Sequence, residues 1–147
     1  MTGVVKGILI SVVVVVLIGA IAIGLGVYWI KAHGGELMER SKQTLAEGQK
    51  FGKGTDNQGC VTETISRHKH NPGISGVLST QLFLNACLQS SQPTPGFCDE
   101  IPEQLDFIKS AEWQRDQCAR NQLTDDNYCP SIFQTVQKFC EKRSTTK

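Results

Sequence analysis

The chain has 147 residues, is 39% hydrophobic and 20% charged, and carries a net charge of +1 from 15 basic and 14 acidic side chains. That balance argues against nucleic acid as a partner, which favours a basic face. The length leaves room for one small domain beyond the apolar N-terminal run.

Residues 1–6 read as a short tail. Residues 7–30 contain no charge and are long enough to cross a bilayer as a helix, which needs about 20 apolar residues. Within the run, Val12 to Val16 are mediocre helix formers in water. In lipid the backbone has no other hydrogen-bond partners, so helix prevails. Tyr28 and Trp29 fall where aromatic rings favour the headgroup layer, and Lys31 follows at once. The run exceeds the apolar core of a cleaved signal peptide, about 7–15 residues, so it is read as a permanent anchor. Gly19, Ala20, Ala22, Gly24 and Gly26 recur at small-xxx-small spacing, which lets a second membrane helix, including one from another copy, pack closely.

Residues 31–55 are expected to form a juxtamembrane stalk and linker. A polar helix extends outward, weakened at Gly34-Gly35; Gly48, Gly52, Gly54 and Gly59 then dilute order, and residues 52–59 read as a flexible linker.

Residues 56–143 hold all six cysteines. The expected fold class is all-α: a single N-terminal transmembrane helix followed by a small disulfide-stapled bundle of about four helices. The first of these covers roughly residues 56–69, with Val61, Thr64, Ile65 and His68 on one face, and ends at Asn71-Pro72-Gly73. His68 and His70 are read as exposed polar residues at that helix end. The second covers roughly residues 74–89, with Val77, Leu78, Leu82, Leu84 and Leu88 as core candidates. A turn over Pro93, Pro95 and Gly96 leads to a third helix over roughly residues 102–121, with Leu105, Ile108, Ala111 and Cys118 at helical spacing. Asp126 or Asn127 caps the fourth, Pro130 suits its first turn, and Ile132, Phe133, Val136, Phe139 and Cys140 form its apolar face. Residues 144–147 read as a disordered tail.

The cysteines are Cys60, Cys87, Cys98, Cys118, Cys129 and Cys140, with no C-x-x-C pair, which argues against a redox dithiol or a zinc ribbon. Structural disulfides remain, and these belong to an oxidising compartment. Short connections make neighbouring helices antiparallel. That places Cys60 beside Cys87, Cys118 beside Cys129 at the turn of the second hairpin, and Cys98 beside Cys140 at its open end.

Orientation involves a conflict. Lys31, Arg40, Lys42 and Lys50 follow the apolar run and only Lys6 precedes it, which by the positive-inside rule favours a cytoplasmic C-terminal part. Six structural cysteines outweigh that small bias. The expectation is a single-pass inner-membrane protein with a cytoplasmic N-terminus and a periplasmic domain. The absence of an N-x-S/T sequon agrees with a bacterial envelope.

No G-x-S-x-G, H-E-x-x-H, P-loop or dinucleotide fingerprint occurs. No catalytic, cofactor or metal residues are assigned, and the chain is read as a non-enzymatic accessory subunit of a membrane or envelope complex. Residues 99–126 carry eight acids against Lys109, Arg115 and Arg120. Asp99, Glu103 and Asp106, with Trp113, are the candidate partner surface. The alternative is an apolar-ligand-binding bundle with Leu82, Leu84, Phe97, Phe107, Phe133 and Phe139 around a cavity.

Overall fold

The computed structural model describes residues 2–144. These form five α-helices: α1 (Thr2–Gly52), α2 (Asn57–His70), α3 (Ile74–Ser90), α4 (Phe107–Arg120) and α5 (Cys129–Ser144). The expected tail over residues 144–147 lies, apart from Ser144, outside the described residues. The chain divides into two compact units, one ending at Arg40 and one beginning at Ser41.

In the first unit the helix already includes Thr2 to Lys6, where a tail was expected, and runs unbroken through Gly34-Gly35. Its stretch Ile10–Ala32 has a mean hydropathy of 2.9 with none of it buried, the length and composition of a membrane span or a signal sequence. Beyond it, Arg40 and Glu36 pair at 2.6 Å one helical turn apart, on the exposed surface.

The second unit is built from the last turns of α1 and from α2 to α5. Asp56 caps α2 by accepting the Gly59 N–H at 2.8 Å. The helix stops at Asn71, before Pro72, and Gly73 turns the chain at φ 111° into α3. Val61, Thr64, Ile65 and His68 of α2 are buried, as their spacing predicts. On α3, Val77, Leu84 and Leu88 reach the core, but Leu78 and Leu82 lie on the surface and Phe83 is buried in their place. α3 is apolar around much of its girth, so periodicity does not choose its inward face. Contacts with α2, α5 and the end of α1 do.

The first large correction concerns residues 52–59, which are not an open linker. Gly48 and Gly52 are buried against α3: a Cβ on Gly48 would stand 2.5 Å from the Phe83 carbonyl oxygen, and one on Gly52 2.5 Å from that of Cys87. The two glycines, four apart, let the backbones approach. Phe51 packs on Phe83 with ring centroids 5.8 Å apart. Arg67 of α2 lies 4.0 Å over the Phe83 ring and bonds Glu63 at 2.9 Å and Glu47 at 3.1 Å, tying α1, α2 and α3 together. After α1, Thr55 and Asn57 pair with Gln92 through backbone hydrogen bonds of 3.0 and 3.1 Å.

The second correction concerns α4. It begins at Phe107 rather than near Pro102, capped by Asp106, whose side chain accepts the Lys109 N–H. Leu105, Ile108 and Ala111 face solvent. The inward face is instead Ser110, Trp113, Gln114, Gln117 and Cys118. The reason is a polar network around Gln137 of α5, which is fully buried. Its Oε1 accepts from Ser110 at 3.0 Å and Gln114 at 2.6 Å, while its Nε2 donates to the Pro102 carbonyl at 3.0 Å. Turning α4 to present Ile108 inward would break the bonds from Ser110 and Gln114 and leave the buried Gln137 oxygen unsatisfied.

Three disulfides join Cys60–Cys87, Cys98–Cys140 and Cys118–Cys129, with Cα separations of 5.8, 5.5 and 6.0 Å. This is the pairing that two antiparallel hairpins require. The core they brace centres on Cys60, Ile65, Phe83, Leu84, Leu88, Ile132, Phe133 and Val136.

Candidate binding cleft

The second unit carries a half-open cleft of about 430 Å³. One wall comes from α2, through Gln58, Val61 and Thr62. The floor comes from α5, through Phe133 and Val136, and the opposite wall from Trp113, Gln117 and Asn121 at α4. The segment Thr94 to Ile101 closes the remaining side.

Each wall is held by identifiable bonds. Asn57, fully buried, donates from Nδ2 to Ser91 Oγ at 2.8 Å and accepts the Thr94 N–H at 3.0 Å. Thr94 Oγ1 also accepts the Gln58 N–H at 3.3 Å. Further along, Cys98 is fastened to α5 by its disulfide and Phe97 meets Phe139 edge-on at 6.4 Å. Trp113 stands perpendicular to Phe133 at 5.8 Å, the edge-to-face geometry that aromatic quadrupoles favour. Gly96, at φ 73°, lets the chain bend so that a Cβ there would lie 3.4 Å from Asp99 Oδ2. The Asp99 carboxylate therefore stands at the cleft edge, with Glu100 beside it in the lining.

Of the sequence-based partner residues, the structure places Trp113 and Asp99 together at this cleft. Glu103 and Asp106 lie elsewhere, at the start of α4. There Asp106 pairs with Lys109 at 2.9 Å, and that hydrogen bond, with the Lys109 backbone N–H, holds its carboxyl below the usual value. Beside them Leu105, Phe107 and Ile108 are 82%, 77% and 73% exposed, a projecting apolar knob. Of the six residues expected to line a cavity, only Phe97 and Phe133 do so. Leu84 is in the core, Leu82 and Phe107 are on the surface, and Phe139 packs on Phe97. Gly19, Gly24 and Gly26 have open space where a Cβ would stand, and Ala20 and Ala22 are exposed.

His68 differs most from expectation. It is fully buried, not exposed, and its Nε2 lies 2.8 Å from Asp126 Oδ2. The other Asp126 oxygen accepts the N–H groups of Tyr128 at 2.7 Å and Cys129 at 3.0 Å, capping α5. Burial works to raise the Asp126 pKa. The Tyr128 N–H, the His68 imidazole and the Cys129 N–H outweigh it and hold the carboxyl below its ordinary value. Asp126 is therefore a carboxylate at neutral pH, and His68 Nε2–H donates to it. This pair links the end of α2 to the start of α5 and does not line the cleft.

The sequence reading missed Asn57, Gln58, Ile101, Gln117 and Asn121 as parts of the cleft and its frame. The one usable signal of hidden polar structure was Gln137, a polar residue inside the apolar stripe of α5. Among the described residues no group of three or more His, Cys, Asp or Glu is placed to hold a metal ion. The lining combines half-buried Trp113 and Ile101 over buried Phe133 and Val136, polar side chains around them, and two carboxylates at one edge. Compared with protein-family models, curated proteins and solved structures, the chain matches none of them.

Proposed function

We propose that the chain is a membrane-anchored, non-enzymatic accessory subunit of an envelope complex. Its N-terminus is cytoplasmic, its apolar helix lies in the inner (plasma) membrane, and its disulfide-braced domain is periplasmic. The apolar helix and three disulfides support an anchored or exported domain in an oxidising compartment. The observation that carries the interaction role is the knob of Leu105, Phe107 and Ile108. Contiguous exposed apolar side chains on a small domain mark contact sites. Glu103, Asp106 and Glu112 lie within a few residues of it in the chain, and the adjacent Lys109 is engaged by Asp106. A partner of complementary chemistry is a membrane or envelope protein with an apolar groove edged by basic side chains. The membrane helix contacts lipid and, through Gly19, Ala20, Ala22, Gly24 and Gly26, packs on a second membrane helix.

The test is purification of the tagged full chain in gentle detergent, beside a Leu105→Ser/Phe107→Ser/Ile108→Ser variant. The reading expects a stoichiometric partner that the variant loses and that high salt weakens. Recovery of the same free monomer from both under several mild conditions overturns it. A second reading, a tethered ligand-binding domain, is favoured by the cleft itself, whose volume lies within the range of small-molecule sites, about 300–1,000 Å³.

A further inference from the structure

We propose that the cleft between α2, α4 and α5 is a binding site for a small organic cation carried on an apolar body, such as an aryl or alkyl ammonium. The inference is independent of the accessory-subunit reading, because it concerns a different face from the Leu105–Phe107–Ile108 knob.

The apolar body follows from the floor. Half-buried Trp113 and Ile101 present carbon surface in the lining, with the buried Phe133, Val136 and Val61 beneath them, and Trp113 stands edge-to-face with Phe133. The ligand's size follows from the volume, about 430 Å³, room for a ring and a short substituent. Its charge follows from the edge. Asp99 and Glu100 are exposed in the lining, which contains no Lys, Arg or His, and no described basic side chain forms an ion pair with either acid. An anion entering here meets two like charges and no counter-charge. A cation meets two carboxylates and, in Trp113, the type of aromatic ring with the strongest attraction for cations. Gln58 and Gln117 add amide oxygens as neutral acceptors.

The site is also prepared before a ligand arrives. The Thr94–Ile101 wall is fixed to α2 by Asn57 and to α5 by the Cys98–Cys140 bond, so little ordering is left to oppose binding.

The experiment uses the full chain in nanodiscs of zwitterionic lipid, in a Trp29→Phe background. The sequence has two tryptophans, so Trp113 is then the sole indole. Its fluorescence is titrated with benzyltrimethylammonium, benzyl alcohol and benzenesulfonate. The proposal expects saturable quenching by the ammonium, binding about tenfold weaker for the alcohol, and no saturation with the sulfonate. Asp99→Asn/Glu100→Gln, two exposed changes that leave the core intact, is expected to weaken ammonium binding about fivefold and to remove its salt dependence. Equal binding of all three probes, an unaltered affinity in the double variant, or no saturation by the ammonium overturns the proposal. So does binding of a basic peptide such as acetyl-Arg-Leu-Arg-amide without binding of the ammonium, which makes the cleft a peptide dock.

Discussion

Replacing Gly48 by alanine sets two effects of known sign against each other. Alanine is the better helix former, by about 1 kcal/mol in a helix interior. The added Cβ, however, would stand 2.5 Å from the Phe83 carbonyl oxygen and 2.9 Å from the Ala86 Cβ. The first of those atoms is backbone, and it sits one turn from Cys87, which is locked to Cys60. α3 therefore cannot retreat without disturbing the disulfide and the Arg67–Phe83 contact. Overpacking costs about 1–3 kcal/mol, and against a backbone atom that cannot yield the cost falls in the upper part of that range, about 2–3 kcal/mol, so the net expectation is a loss of about 1–2 kcal/mol after the propensity gain. For a domain near 100 residues each kcal/mol moves Tm by roughly 4–8 °C. Thermal unfolding followed by near-UV circular dichroism would read a fall of that order for Gly48→Ala, and likewise for Gly52→Ala. Gly35, with nothing within 4 Å of its would-be Cβ, serves as the control whose replacement does not lower Tm. Adding Ala86→Gly removes only the 2.9 Å contact, leaves the Phe83 carbonyl clash, and itself costs α3 about 1 kcal/mol, so it does not restore stability. A Gly48→Ala variant as stable as the parent, or more so, would refute the close approach of α1 to α3.

Removing Cys98–Cys140, separated by 42 residues, is expected to cost about 4.0 kcal/mol at most, and removing Cys118–Cys129, separated by 11, about 2.8. Denaturant melts of the paired Cys→Ala variants give the order, and non-reducing peptide mapping checks the pairing. Asp126→Ala deletes the α5 cap and strands the buried His68, a combined loss of about 2–4 kcal/mol. Because the folded Asp126 pKa lies below its unfolded value, its contribution is complete above about pH 4 and is lost as pH falls through the folded pKa. Urea midpoints between pH 5 and pH 2 should therefore fall less steeply for Asp126→Asn than for the parent. Gln137→Leu leaves Ser110 and the Pro102 carbonyl without their partner and is expected to cost about 2–3 kcal/mol despite its greater apolarity. A neutral or stabilising result by denaturant melt would contradict the network.

What was legible in the sequence follows from how local each cause is. The helix starts at Asp56 and Asp126 and the stop at Pro72 depend on a few adjacent residues, and they stand where expected. The disulfide pairing depended on topology alone, since antiparallel neighbours leave little choice of cysteine. α4 failed because its orientation is decided by Gln137, which lies 27 residues from Ser110 in the chain. Apolar periodicity counted Leu105, Ile108 and Ala111 as inward, and a buried polar network outweighed them. The glycines of α1 failed for a related reason. Glycine reads as looseness when taken alone and as closeness when another helix is laid against it, and only the fold distinguishes the two. The cleft was legible only in part: Phe97, Phe133, Trp113 and Asp99 were singled out, Val61 and Val136 were read only as helix core, and the wall from Thr94 to Ile101 comes from a stretch without periodicity.

The segment from Ser91 to Asp106 decides whether the cleft is a built feature or a packing fault. Irregular stretches longer than about 12–15 residues are uncommon in compact domains and are mostly either functional or disordered. This one is fastened along its length: Ser91 and Thr94 to Asn57, Gln92 to Thr55 and Asn57, Cys98 to Cys140, the Pro102 carbonyl to Gln137, and the Gln104 N–H to Glu141. Tied at these points, the segment leaves Trp113 half-buried beside the buried Phe133, and its stretch from Thr94 to Ile101 stands as a wall with its carboxylates at the edge. Three of these ties, those to Ser91, Thr94 and the Pro102 carbonyl, use a buried polar side chain, Asn57 or Gln137, in a position where an apolar residue would have packed more simply. Those two side chains cost the domain apolar burial, and what they hold in place is the opening.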